Sequence, residues 1–205
     1  MSDRASIFER LSEALEGDGE RAPYPEYDDA VAVAHPRLVD DGLWENFARN
    51  FRAVNGRPMT SIDEVTTFLK EEKVTVGYCD PALKESLGKA CEAAGLEVRY
   101  TYDREHYDDY QFGITQATRA IAETGTVVLT DSETSDRLGA LTPWIHVAVL
   151  PEAGMVRTIG DAIGTFGEER NVIWATGPSK TGDIEGILIE GVHGPGEQIC
   201  LKLDL

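Results

Sequence analysis

Apolar residues recur along this chain in two rhythms, and the change between them divides it. Over residues 4–16, Ile7, Leu11 and Leu15 fall at i, i+4 and i+8, one face of an amphipathic helix. The stretch 17–42 sets Pro23, Pro25 and Pro36 among glycines and acids and predicts an extended arm. A second helix is predicted from Leu43 to about Val54, presenting Leu43, Phe47 and Phe51 and closed by Gly56. Thr60 or Ser61 then caps a third helix. Glu64 follows Ser61 at capping-box spacing, ahead of Val65, Phe68 and Leu69.

From Lys73 the rhythm shortens. Apolar runs at 74–79, 96–102, 126–130, 144–150, 171–176, 184–190 and 198–203 predict strands. Helices are predicted at 81–94, with Pro81 in its first turn and Gly95 as its stop, and at 114–123 and 155–166. Short strands alternating with helices predict an α/β fold: a three-layer α/β/α arrangement around a mostly parallel, Rossmann-like sheet. The last two strands leave no room for a helix between them, so they are expected to pair antiparallel across the turn at 191–196. Residues 1–60 form a helical lead-in and arm in this reading, and residues 61–205 the α/β domain.

Charge narrows the partners. With 19 basic against 37 acidic residues the formal net charge is −18. Phosphate backbones are bound by clustered Lys and Arg, so no nucleic acid is expected as a partner. An acidic surface aids solubility, and six lysines beside thirteen arginines also fit adaptation to brine; both readings stand. No apolar run approaches the roughly 18 residues of a membrane span. The start, Met1 to Ser6, lacks the basic and apolar blocks of a signal peptide, so a cytoplasmic location is expected.

Cys79, Cys91 and Cys200 are too few and too scattered for a disulfide framework or for a cluster held by four cysteines, and each falls in an apolar pattern. No dinucleotide, P-loop, nucleophile-elbow or HExxH motif is complete, and no cofactor is expected. The chemistry that remains gathers near the C-terminus, in Gly177-Pro178-Ser179-Lys180-Thr181-Gly182-Asp183-Ile184-Glu185 and in Gly191-Val192-His193-Gly194-Pro195. Ser179, Lys180 and Thr181 offer hydroxyl and ammonium donors on a glycine-flanked turn, suited to a carboxylate or phosphate; equally, the hydroxyls could satisfy the turn's own backbone. Asp183, Glu185 and His193 are candidates for proton transfer, with a divalent metal on the same three as a weaker reading. A second region places Gln116 and Arg119 in the first turns of the predicted helix 114–123, with Glu123 and Thr124 at its end, as ligand-facing candidates or as a simple cap and turn. His146, between Ile145 and Val147, reads as a hydrogen-bonded core residue that could also meet a ligand.

The two C-terminal motifs, together with Ala122-Glu123-Thr124-Gly125-Thr126 and Trp144-Ile145-His146-Val147, resemble the lactate utilisation protein C family from roughly Lys73 to the C-terminus. One departure is Gly182, where the family more often has alanine. The resemblance implies a fold like that of the ribose-phosphate isomerase, glucosamine-phosphate deaminase and coenzyme A transferase superfamily. It further implies a part in oxidising L-lactate to pyruvate beside two partner proteins that carry iron–sulfur clusters. Two functions stay open: an accessory subunit without its own redox centre, and a stand-alone isomerase- or transferase-like enzyme on a small anionic metabolite.

Overall fold

The computed structural model describes residues 3–15, 38–39, 42–182 and 186–203. The chain divides into Met1–His35 and Pro36–Leu205. In the first unit, α1 spans Asp3–Leu15 and leaves Ile7, Leu11 and Leu15 exposed. The second unit takes in α2 (Leu43–Ala53) and β1 (Arg57–Met59), both of which the sequence reading assigned to the lead-in.

Six parallel strands form the central sheet, in the order β1-β12-β7-β4-β2-β3. Here β2 is Val76–Cys79, β3 Glu97–Arg99, β4 Phe112–Gln116, β7 Ile145–Leu150 and β12 Glu197–Lys202. The central strands are buried on both faces, which is why they read as unbroken apolar runs rather than alternating ones. Their period-two geometry still sorts the side chains. Ile145, Val147, Val149, Ile199 and Leu201 face one way, against α3 (Ile62–Glu71) and the helical segment that ends in α4 (Lys89–Ala93). Ala148, Leu150 and Cys200 face the other way, with Phe47 and Phe51 of α2 and Ala140 of α5 (Leu138–Leu141). Helices thus cover both sides of a mostly parallel sheet.

Local chemistry accounts for several boundaries. The Ser61 hydroxyl accepts from the Glu64 amide while the Glu64 carboxylate accepts from the Ser61 amide, a complete capping box. Pro81 opens a 3₁₀ turn capped by Asp80, and Gly95, at φ +91°, ends α4. At the end of α2 the left-handed residue is Asn55, at φ 68°, rather than the predicted Gly56. Gly56 is needed for space, because a Cβ there would lie 2.4 Å from the Phe51 ring.

Two elements differ from expectation. The segment 114–123 is not a helix: Phe112–Gln116 is β4, and Arg119–Ile121 is β5 of a second sheet ordered β8-β5-β6-β9. In that sheet β6 is Thr126–Thr130, β8 Met155–Val156 and β9 Val172–Ala175. The amide of Ala117 bonds Val149 of the central sheet and the next amide, Thr118, bonds Val128 of the second, so the chain passes between sheets at one peptide. The alanines of this stretch suggest a helix by propensity, but long-range pairing overrides it. Likewise 155–166 is β8 followed by the short α6 (Ile159–Ile163), whose capping box runs from Thr158 to Asp161. The last two strands do not pair with each other. β11 (Leu188–Glu190) forms an antiparallel hairpin with β10 (Lys180–Gly182), while β12 runs parallel between β1 and β7. β12 enters the sheet one strand in from its β1 edge, in the parallel slot between β1 and β7.

Candidate functional site

A cavity of about 750 Å³ opens on the α2 side of the central sheet, where the second sheet faces it. Its floor comes from period-two geometry. His146 on β7 and Gln198 on β12 are register partners, and both point away from the α3 face. Each is buried, and they bond each other: His146 Nδ1 meets the Gln198 amide at 2.9–3.0 Å, and His146 Nε2 meets Thr115 Oγ1 at 2.9 Å. Burial pushes the His146 pKa down to about 4, with the Gln198 hydrogen bond opposing, so the imidazole is neutral near pH 7. Leu129 of β6 and Ile173 of β9 supply an apolar wall.

Two loops make the rim. Residues 177–179 and 193–195 are tied together by the Ser179 amide donating to Pro195 O at 2.9 Å and the Gly191 amide donating to Ser179 O at 3.0 Å. This turn requires its glycine: Gly177 sits at φ +78°, and a Cβ would stand 2.2 Å from the Val54 carbonyl. Ser179 and His193 therefore line the cavity. The second loop, Asp131 to Arg137, follows β6 directly. Its Arg137 Nε pairs with Asp131 at 3.2 Å, and Asp136 pairs with Arg104 at 3.7 Å. Buried Asp80 anchors the loop, one carboxylate oxygen accepting from the Ala82 amide at 2.9 Å and the other from the Ser135 amide at 3.1 Å. Tyr78 bonds the Ser135 hydroxyl, and burial pushes the Tyr78 phenol up to about 12. Removing a buried acceptor leaves two amides unmet, so Asp80→Ala is expected to cost about 1–3 kcal/mol of stability. Chemical unfolding of the variant and of wild type checks this; an unchanged midpoint would mean that water replaces the carboxylate without loss.

The remaining sequence candidates are placed elsewhere. Lys180 points out of the cavity, donating to Val54 O at 3.4 Å and pairing with Glu190 at 3.5 Å. Thr181 lies in the hairpin opposite Ile189. Asp183 and Glu185 fall outside the described residues. Gln116 and Arg119 sit on strands, and the Gln116 carbonyl accepts from Thr134 Oγ1 at 3.0 Å. Glu123 and Thr124 form the β5–β6 hairpin turn, not a helix end. The turn docks on α2, with Asn50 Nδ2 donating to the carbonyls of Ala122 and Glu123 at 2.8 and 3.0 Å. Lys180, Thr181, Gln116, Arg119, Glu123 and Thr124 do not line the cavity. Burial pushes all three cysteine thiols up, Cys79 and Cys91 to about 12, and holds them protonated within the core. Among the described residues no group of three or more His, Cys, Asp and Glu side chains is placed to hold a metal ion, and no helix is long and apolar enough to cross a membrane.

Arg104, Arg137 and the loop from Asp131 to Arg137 are absent from the sequence reading. A signal existed: Thr130 to Arg137 is an unbroken polar run directly after a buried strand, the position where α/β folds carry function.

These features define an α/β domain with a ligand-sized cleft over a mostly parallel sheet. Residues 66–201 match the model of the LUD domain, and the chain belongs to that family. It is similar to proteins named Lactate utilization protein C. One, from Halalkalibacterium halodurans, is 30% identical over 167 residues, 78% of this chain and 64% of that protein. Another, from Deinococcus radiodurans, is 37% identical over 81 residues, 37% of this chain and 38% of that protein. The Bacillus subtilis protein is 34% identical over 91 residues, 40% and 38% of the respective chains. The matches thus span between about two fifths and two thirds of these relatives' own length. A solved DUF162 family protein from Deinococcus radiodurans has the same fold, with a TM-score of 0.55 at 17% identity over 78% of this chain and 96% of that one.

Proposed function

We propose that the chain is a cytoplasmic subunit of an L-lactate oxidation system, working beside iron–sulfur partner proteins and holding a small carboxylate at the cavity rim. The relatives named for lactate utilisation support the pathway. The single observation that carries the ligand reading is the cavity, which gathers Arg104, Arg137, Ser179 and His193 around one opening. Arginine forks recognise carboxylates in two-point fashion, and Arg137 meets Asp131 through Nε at 3.2 Å. Of the sequence-derived anion site, Ser179 belongs to this reading, joined by His193 from the proton-transfer candidates, while Lys180 is engaged elsewhere and Thr181 lies in the hairpin. Asp183 and Glu185 remain proposed proton-transfer groups.

The test is lactate-dependent dye reduction by the chain alone, by the two iron–sulfur proteins alone, and by the mixture. Activity is expected only in the mixture, falling at least about tenfold for Arg137→Gln, since each 1.4 kcal/mol of lost binding is a factor of ten. Turnover by the isolated chain overturns the accessory role and favours the stand-alone enzyme.

A further inference from the structure

The cavity is too large for the ligand that the preceding reading gives it. A three-carbon acid fills only a small part of a cavity of about 750 Å³. Clefts of about 300–1,000 Å³ are instead the size that encloses a cofactor- or drug-sized molecule.

Charge is also unevenly distributed across it. The deep part is uncharged: Leu129 and Ile173 form the wall, and His146 and Gln198 spend their polar atoms on each other and on Thr115. The cations stand at the rim, where the Arg104 side chain is 74% exposed and that of Arg137 is 47% exposed. Arg137 is held through Nε by Asp131 at 3.2 Å, and Arg104 by a longer contact to Asp136 at 3.7 Å. An anion placed deep in the cavity would be desolvated against apolar walls with no cation beside it, at a cost of several kcal/mol. At the rim it meets two guanidinium groups in water, each beside the aspartate that pairs with it, Asp136 for Arg104 and Asp131 for Arg137.

We infer that the cavity binds an organic anion of nucleotide size, with an uncharged ring-bearing body against Leu129 and Ile173 and a phosphate or carboxylate head on Arg137 and Arg104. The inference rests on the cavity being the ligand site of the proposed function, but not on lactate as its occupant. Lactate, if held there, would share the cavity with this larger molecule.

Matched probes separate head from body. Calorimetric titration of the full chain uses flavin mononucleotide against riboflavin and inorganic phosphate, and adenosine monophosphate against adenosine and inorganic phosphate. At least one of the two phosphate esters is expected to bind saturably, one per chain, at least about tenfold more tightly than its body or phosphate alone. Arg137→Gln, and separately the more exposed Arg104→Gln, should weaken that ester about tenfold and leave its phosphate-free body unchanged. Lys70→Gln, on α3 across the sheet, should change nothing. Failure of both esters to bind overturns the inference, as does inorganic phosphate binding as tightly as either ester, or Lys70→Gln matching the arginine variants. No partner protein enters this measurement, so its failure is distinguishable from a failure of the lactate assay.

Discussion

Phe51→Ala is expected to lower the free energy of unfolding by about 3–5 kcal/mol, the range for deleting a buried aromatic ring from a packed core. Phe51 has no solvent exposure, and its ring stacks on Phe47 at 5.1 Å. It also lies where three pieces of chain converge. The Phe51 carbonyl accepts from the Gly56 amide at 2.8 Å, closing α2, and its ring fills the space that a side chain at position 56 would need. On its other side the β5–β6 turn presses in so closely that a Cβ at Gly125, which sits at φ +65°, would stand 2.4 Å from the Phe51 amide nitrogen. Residues packed this tightly cannot collapse into the space left behind, so the cost belongs near the top of the range. Leu43 is on the same helix but 36% exposed, and its truncation should cost less than about 1 kcal/mol. Urea unfolding of both variants, read as a shift in midpoint at unchanged slope, makes the comparison. Equal effects would mean that α2 is not anchored through its aromatic face. Phe51→Leu, expected at about 1–2 kcal/mol, covers the case in which the alanine variant does not fold.

The same residues explain what the sequence could and could not reveal. Val127 to Leu129, Ile145 to Leu150 and Ile199 to Leu201 are legible as strands because burial on both faces demands continuous apolar character. Ser61 with Glu64, and Pro81 after Asp80, are legible as helix starts because capping is local chemistry. Pairing is not local. Nothing between Gly191 and Gly196 indicates that β12 bypasses β11 to lie between β1 and β7, since that choice depends on which slot the earlier strands leave open. The Ala117–Thr118 crossing was hidden for the same reason: its alanines suit a helix equally well until Val128 and Val149 claim the two amides. The cavity divides along this line. Ser179 and His193 stand out in the sequence by turn chemistry. Arg104 and Arg137 come together only through folding, each placed by an aspartate that is unremarked in a chain with 37 acidic residues.

Stability should fall between about pH 6.5 and pH 4 through His146 alone, by about 3 kcal/mol in full. The pKa of this imidazole is lowered from 6.5 to about 4, first by burial and against the pull of the Gln198 hydrogen bond. Above pH 6.5 the ring is neutral in both folded and unfolded chains, and its contribution is constant. Below that the unfolded chain takes up a proton that the folded chain refuses, so the unfolded state gains; below about pH 4 both are protonated and the loss levels off. At ~1.4 kcal/mol per pH unit the window gives the figure stated. His106 shifts the opposite way, raised by its hydrogen bond to Asp103 on the surface, and the many carboxylates also titrate in acid. A difference measurement removes them all. His146→Gln keeps a polar group beside Thr115 and Gln198 but cannot titrate, so between about pH 7.5 and pH 4.5 wild type should lose about 2–3 kcal/mol more than the variant in urea unfolding. Parallel profiles would mean that water reaches the ring and that its pKa is ordinary. In that event the floor of the cavity would carry a positive charge in mild acid, and an anion could bind deep rather than at the rim. The pH profile of one buried histidine therefore decides which end of the cavity is fit for a charged group.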